Sequence, residues 1–186
     1  REPLFTGVSF SMSEGSKASL VGDNGVGKST LLSIIAGILK PSSGDISFNG
    51  PLYYVPQHYG QYDGTTIAGA LGLKAKLDAL DAILGGDLSA DNYTVLGDDW
   101  DIGERITAAL AHWGLEGRDP STPMSSLSGG EKTKVFLAGI DIHKPSLILM
   151  DEPANHLDRE ARCRLYDLIR GSQAGILVVS HDRTLL

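Results

Sequence analysis

The stretch Gly22-Asp-Asn-Gly-Val-Gly-Lys-Ser29 decides the fold, because it matches the pattern G-x-x-x-x-G-K-[ST]. Such a loop wraps a phosphate so closely that side chains would collide, hence the glycines, and its backbone N–H groups point at the phosphate oxygens. Lys28 places a positive charge on the β- and γ-phosphates, and Ser29 offers a hydroxyl to Mg²⁺. An apolar run at 18–21 predicts the strand that precedes such a loop, and apolar residues from Leu31 onward predict the helix that follows it.

The composition of the chain excludes several classes of protein. Of the 186 residues 41% are hydrophobic and 21% are charged, which suits a folded domain rather than a disordered chain. Lys and Arg number 16 against 23 Asp and Glu, and the net charge of −7 argues against a basic nucleic-acid clamp. The single cysteine, Cys163, excludes an intrachain disulfide, and no apolar run approaches the ~20 residues that span a bilayer. We expect a cytoplasmic protein without membrane insertion and, because residue 1 is not Met, a piece of a longer chain.

Strand and helix signals alternate in the first and last thirds of the chain. Strands are predicted at residues 7–12, 18–21, 46–48, 53–55, 147–150 and 176–179. Helices are predicted after the phosphate loop, after Gly130 and over about residues 158–169. Strands that alternate with helices form a mostly parallel sheet, so we predict an α/β fold with its sheet core in residues 1–58 and 131–186.

The middle of the chain, about residues 59–130, shows helical periodicity instead. One apolar stripe predicts a helix that stops at Gly85-Gly86, and a second predicts a helix with Asp98 or Asp99 as its N-cap. The first stripe comprises Leu73, Leu77, Leu80 and Leu84, and the second comprises Ile102, Ile106, Leu110 and Trp113. We interpret this part as a helical subdomain inserted into a single sheet domain.

Two further segments favour chemistry on a bound phosphate. The apolar strand at 147–150 ends in Asp151 and Glu152, and open α/β sheets bind ligands at this end of their strands. The Asp151 carboxylate can hold Mg²⁺ through water, and Glu152 can polarise a water aimed at the γ-phosphate. Ser128, Gly129 and Gly130 precede a helix, whose N-terminal N–H groups attract a second anion.

Five motifs resemble, in their order along the whole chain, those of the ATP-binding cassette (ABC) ATPases. They are the 22–29 loop, Gln57 in Val55-Pro-Gln57, the signature Leu127-Ser-Gly-Gly-Glu131, the strand that ends in Glu152, and Ser180-His-Asp182. The resemblance implies the α/β fold of P-loop NTPases, as an ABC nucleotide-binding domain that binds ATP and Mg²⁺. It also implies a second cassette, in the same longer chain or as a dimer partner, whose signature segment contacts the ATP.

The resemblance implies a role for each matching residue. Glu152 corresponds to the catalytic glutamate and His181 to a histidine that contacts the γ-phosphate, while Ser29, Gln57 and Asp151 surround the metal. The residues implied to bind ATP are Gly22, Asp23, Asn24, Gly25, Val26, Gly27, Lys28, Ser29, Thr30 and Gln57. Ser128, Gly129 and Gly130 are implied to act on the ATP of the partner cassette. Family members stack adenine on an aromatic residue upstream of the loop, and Phe5 is the nearest candidate for it.

Two segments narrow the resemblance to the ABC-F subgroup. They are Glu152-Pro-Ala-Asn-His-Leu-Asp158, in which Ala154 stands where Thr is commoner, and Ser180-His-Asp-Arg183. Members of this subgroup lack membrane domains and carry two cassettes in one chain, and many act at the ribosome, which implies the ribosome or tRNA as a partner. The alternative is the ATP-binding subunit of a membrane transporter, whose partner would be a membrane-domain subunit. A cassette of the chromosome-maintenance type is disfavoured, because no coiled-coil heptads interrupt the middle of the chain.

Overall fold

The computed structural model describes residues 4–180, which form two compact units. Residues 4–57 and 143–180 form the sheet unit, and residues 58–142 form the helical unit. The sequence predicts that the helix after Gly130 belongs to the sheet core, whereas in the structure this helix lies in the helical unit as far as Ile142. The division of the chain into functional subdomains at 58 and 130 stays a prediction.

The sheet unit contains four parallel strands. They are β1 (Lys17–Leu20), β2 (Leu52–Val55), β3 (Leu147–Asp151) and β4 (Gly175–Val179), in the spatial order β1-β4-β3-β2. The central strands β3 and β4 are almost wholly buried, as their continuous apolar sequences predict for strands covered on both faces. The predicted parallel sheet is therefore confirmed, and the carboxyl ends of its strands share one edge.

Two helices accompany the sheet. Helix α1 (Lys28–Ile35) buries Leu32 in a core cluster with Leu149, Leu177 and Val179. Helix α7 (Arg159–Gly171) follows β3 in the chain, and its N-cap residue is Asp158, whose carboxylate accepts a hydrogen bond of 2.8 Å from the Ala161 N–H. Because α1 starts directly after the 22–27 loop, its contact with the core fixes the position of that loop.

The strands predicted at 7–12 and 46–48 are wrong. Neither segment belongs to a strand in the described residues, and the side chains of Val8, Phe10, Ile46 and Phe48 are about half exposed. Alternating polarity predicts only which face of a strand would be buried. A strand also needs a neighbour that satisfies its backbone groups, and within residues 4–180 neither segment pairs with one.

The helical unit contains α2 (Ile67–Ala70), α3 (Lys74–Leu84), α4 (Ala90–Leu96), α5 (Ile102–His112) and most of α6 (Gly129–His143). The stripe of α5 is confirmed, since its four predicted residues are buried. The fourth of them, Trp113, also donates an indole hydrogen bond of 2.8 Å to Asp141 Oδ2. No helix in residues 4–180 is both long enough and apolar enough to cross a membrane.

Three expectations for this unit are wrong in detail. Leu84 is exposed, and α3 buries Ala79 and Ile83 instead. Helix α4 was not predicted. Neither Asp98 nor Asp99 caps α5. The N-cap residue is Asp101, and the Asp99 carboxylate instead pairs with Lys76 and Arg105.

Candidate functional site

The phosphate loop owes its shape to two glycines in the left-handed region. Gly25 has φ +80° and Gly27 has φ +102°, where any other L-residue is strained by roughly 1–2 kcal/mol. A Cβ atom added to Gly27 would also lie 2.8 Å from Leu4 Cδ2 and 3.1 Å from Phe5 Cε1. The loop therefore keeps a bare backbone surface, as the motif predicts. The contact also places Phe5, the candidate for adenine stacking, beside the loop.

Lys28 lies across the loop rather than pointing into solvent. Its Nζ donates to the carbonyl oxygens of Gly22 at 2.7 Å and Asp23 at 2.8 Å. These bonds hold a positive charge over the loop, and they can be exchanged for phosphate oxygens when an anion enters.

The start of α1 offers further donors for an anion. Gly27 is its N-cap residue, no side chain caps the helix, and no acidic residue lies in its first turn. The N–H groups of the first turn have no partner within a helix, and the helix dipole makes this end positive. A glycine-lined loop, a bridging lysine and an uncapped helix start together fit the phosphates of a nucleotide.

Asp151 and Glu152 lie at the end of β3, at the same edge of the sheet. Both residues are buried, since Asp151 is 1% exposed and Glu152 is 8% exposed. Glu152 has φ +49°, a conformation that costs on the order of 1–3 kcal/mol in a residue other than glycine. Its N–H donates to Val179 O at 2.8 Å, and its carbonyl accepts from the Asn155 N–H at 3.1 Å. This turn fixes the direction in which the Glu152 side chain leaves the strand.

Gln57 is placed at this edge by the register of β2. Val55 on β2 lies opposite Met150 on β3. Gln57 and Glu152 each come two residues later, so they follow the ends of these two neighbouring strands at the same level. Ser29, Gln57 and Asp151 carry a hydroxyl, an amide and a carboxylate oxygen. These hard oxygen donors fit Mg²⁺, which is held by one or two protein groups together with phosphates and water.

The remaining loop residues named from the sequence, Asp23, Asn24, Val26 and Thr30, lie in or directly after the loop. The first three are exposed, and the Val26 N–H closes a turn on Asp23 O at 3.4 Å. His181 lies outside the described residues. The described chain ends at the buried Ser180, directly after β4, and the role of His181 stays a prediction.

The signature segment lies in the helical unit, where Ser128 and Glu131 form a capping box. The Ser128 hydroxyl and N–H donate to Glu131 Oε2 at 2.8 and 2.9 Å, and the Glu131 N–H donates back to Ser128 Oγ at 3.3 Å. Arg118 Nη2 lies 2.5 Å from the other carboxylate oxygen. These contacts fix the start of α6, where Gly129 and Gly130 offer bare backbone.

Sequence reasoning missed the roles of Glu131 and Arg118 in this segment. The spacing S-x-x-E could have revealed the capping box, since it is a known helix-start pattern. Arg118 lies 13 residues before Glu131 on another element, and no local pattern marks it.

The Glu131 pKa lies below its ordinary value. The main cause is the hydrogen bond from the Ser128 N–H, and the Ser128 hydroxyl and Arg118 lower it further, against partial burial, which raises it. Because folding lowers the pKa of Glu131, its carboxylate stabilises the fold at pH values above 4.5, the ordinary pKa. This stabilisation is lost as the pH falls through the pKa that Glu131 has in the folded protein.

We expect Glu131→Ala to lower the free energy of unfolding by about 1 kcal/mol at pH 7, as for the loss of other helix caps. The difference from the parent should shrink when urea denaturation is repeated at a pH well below 4.5, because the contribution of the Glu131 carboxylate is lost as the pH falls through its lowered pKa. Glu116→Ala, an exposed carboxylate of the same unit, serves as the control and should have little effect at either pH. A deficit of equal size at both values would contradict the charge-dependent cap.

A family model described as ABC transporter matches residues 5–155. Curated relatives include a tylosin resistance ATP-binding protein of Streptomyces fradiae, which is 32% identical over 96% of this chain and 37% of its own length. ABC transporter F family member 3 of Arabidopsis thaliana is 33% identical over 98% of this chain and 23% of its own length. The energy-dependent translational throttle protein EttA of Mycobacterium tuberculosis is 32% identical over 96% of this chain and 35% of its own length. The chain thus spans about a quarter to a third of these proteins.

Among solved structures, a dimeric ATP-binding cassette in a post-hydrolysis state, bound to ADP and Pi, superposes with a TM-score of 0.71. The two are 23% identical, and the match covers 98% of this chain and 82% of the other. A likeness at this level shows that the two chains share their fold.

Proposed function

Because the chain belongs to the ABC transporter family, as an ATP-binding cassette most like the family's F members, we propose that it binds ATP with Mg²⁺ and hydrolyses it. The observation that carries this proposal is the phosphate loop. Lys28 bridges the loop's carbonyl oxygens above a glycine backbone and an uncapped helix start. The buried pair Asp151 and Glu152 lies at the same edge of the sheet, where hydrolysis requires a metal ligand and a base.

Phosphoryl transfer depends mainly on positioning and on neutralising charge. In the proposed mechanism Lys28 exchanges its two carbonyl partners for β- and γ-phosphate oxygens, and the N–H groups of residues 25–30 bind the phosphates. Ser29, Gln57 and Asp151 would hold Mg²⁺, which neutralises charge on the phosphate oxygens when bound. Glu152 accepts a hydrogen bond from the attacking water and orients it, and its backbone turn fixes the direction in which the side chain leaves the strand. His181 is proposed to contact the γ-phosphate.

A second cassette would complete the site. We propose that Ser128, Gly129 and Gly130 of one cassette contact the ATP bound by the other, as the helix start at Gly129 presents N–H groups and no bulky side chain. The partner cassette would belong to the same longer chain or to a second molecule. The dimeric solved cassette supports such an arrangement.

The process we propose is translation in the cytoplasm, with the ribosome or tRNA as the larger partner. Its support is the similarity to the F-family protein and to the translational throttle protein. The second candidate function is the ATP-binding subunit of a membrane transporter, which the description of the matching family model favours. Co-sedimentation with ribosomes in ATP, but not in ADP, would support the first, and co-purification with a membrane-domain subunit would support the second.

The test of the cassette mechanism is the dependence of the rate on protein concentration. We expect ATP turnover per molecule to rise with the concentration of the chain, because two molecules must meet to complete each site. Phosphate release would be measured over roughly a ten-thousandfold range of concentration, from about nanomolar to tens of micromolar, which brackets weak association. Glu152→Gln serves as the control for contaminating activity. A turnover per molecule that stays constant from the most dilute sample upward would overturn the requirement for a partner.

A further inference from the structure

The helical unit concentrates its exposed apolar side chains in one short segment. Within the described part of this unit, all the large hydrophobic residues that are exposed lie between residues 84 and 100. They are Leu84, Leu88, Tyr93, Val95 and Trp100, with exposed fractions of 75%, 71%, 40%, 44% and 50%. We call them the 84–100 surface. Single exposed apolar residues are ordinary, but five in 17 consecutive residues indicate an interaction site.

This surface is built on ordered structure. Asp87 holds the start of α4, since its carboxylate accepts from the Ser89 N–H at 3.0 Å and from Asn92 Nδ2 at 3.1 Å. The rings of Tyr93 and Trp100 lie 6.0 Å apart between centroids and are tilted by 54°, which gives a fixed aromatic platform. Fixed aromatic rings lose little conformational entropy when a partner binds, and they are the residues that most often dominate binding energy.

The helical unit, to which this surface belongs, carries the whole net negative charge of the protein. Residues 58–142 contain 13 Asp and Glu against 6 Lys and Arg, while the rest of the chain contains 10 of each. Between residues 78 and 104 there are eight Asp and Glu and no Lys, Arg or His. Asp99 is neutralised by Lys76 and Arg105, Asp78 by Lys74, and Asp101 by Arg105.

Five of these carboxylates have no ion-pair partner among the described residues. They are Asp81, Asp87, Asp91, Asp98 and Glu104. Asp91 lies on α4 two residues before Tyr93, and Asp98 lies two residues before Trp100. Unpaired acids therefore flank the aromatic platform along the chain.

We propose that the 84–100 surface docks a lysine- and arginine-rich amphipathic helix of a protein partner. Its apolar residues would contact Tyr93, Trp100 and the leucines, and its cations would pair with the free carboxylates and lie over the aromatic rings. The partner is expected to be helical rather than extended, because this unit offers no sheet edge for strand addition. Among its described residues the only β-pairing is the single bridge between Thr66 and Pro123.

The charge also argues against other occupants. The phosphates of RNA would be repelled by the carboxylates. A symmetric contact with a second copy of this surface would place like charges face to face. The proposal does not depend on ATP hydrolysis, since it concerns only side chains of the helical unit.

The probe for this proposal is a fluorescent peptide of about 18 leucine and lysine residues, patterned so that leucine lines one helical face. We expect the parent chain to bind it, as measured by anisotropy, at least about tenfold more tightly than a scrambled peptide of the same composition. The double variants Tyr93→Ser/Trp100→Ser and Asp91→Asn/Asp98→Asn should each weaken binding by about tenfold or more. Added salt should weaken binding to the parent more than to the Asp variant.

Ile38→Ser and Glu116→Gln are the matched controls, because they change an exposed apolar residue and an exposed acid elsewhere. Both should bind the peptide as the parent does. Unchanged thermal unfolding and unchanged ATP affinity would show that the double variants are folded. Equal binding of the scrambled peptide or undiminished binding by both double variants would overturn the proposal, and so would direct binding of a fluorescent single-stranded RNA oligonucleotide that the Tyr93→Ser/Trp100→Ser variant loses.

Discussion

Glu152→Gln is expected to lower kcat for ATP hydrolysis by about 10²–10⁴-fold, the usual contribution of a positioned acid or base. The substitution keeps the size of the side chain and its place at the end of β3, but it removes the carboxylate that polarises the water. Affinity for ATP should stay within about threefold of the parent, because the phosphates are held by the loop and by Lys28. Single-turnover hydrolysis and calorimetric titration measure the two quantities separately.

The variant should also populate an ATP-held dimer. If hydrolysis is what separates the two cassettes, slowing it prolongs the closed state, and gel filtration with ATP and Mg²⁺ should show a larger species that ADP does not support. Glu14→Gln, an exposed acid in the same unit, should behave like the parent in every assay. Hydrolysis by Glu152→Gln at the parental rate would remove Glu152 from the mechanism and leave the phosphate loop untouched.

The phosphate loop could be predicted from the sequence because its spacing specifies local backbone geometry. Gly25 and Gly27 have the positive φ angles that the motif requires, and the helix begins at Lys28. The strands β3 and β4 were predictable for a similar reason, since four or more consecutive apolar residues describe a strand buried on both faces. Such features are encoded by residues adjacent in sequence.

Features that depend on distant partners could not be predicted in this way. Helix α4 has only seven residues, too few to be stable alone, and it is held by the burial of Leu96 and by contacts with α3. Asp99 looked like an N-cap but pairs with Lys76, 23 residues away in the chain. The strands predicted at 7–12 and 46–48 failed because alternation specifies a face and not a neighbour. The contact between Arg118 and Glu131 in the signature segment could not be predicted either, because the two residues are 13 positions apart in the chain.

Lys28→Ala is expected to weaken ATP binding by about 10–100-fold, the equivalent of one hydrogen-bonded charge on the phosphates. The ammonium group already lies within 2.7–2.8 Å of two carbonyl oxygens of the loop, so it is positioned for phosphate oxygens before ATP arrives. Removing it also removes a support of the free loop, and lower affinity could then arise from a disturbed loop rather than from a lost contact with phosphate.

The two causes differ in how they depend on the ligand. A lost phosphate contact should penalise ATP more than ADP, and AMP least, because the lysine serves the β- and γ-phosphates. A disturbed loop should penalise all three similarly, and it should also lower the free energy of unfolding. Lys40→Ala, an exposed lysine beyond α1, controls for the change in net charge and should leave all three affinities as they are. If calorimetry gave the parental affinity for ATP in Lys28→Ala, the loop would not be the site of the phosphates. The roles proposed for Ser29 and Glu152, which depend on phosphates bound there, would then have no support.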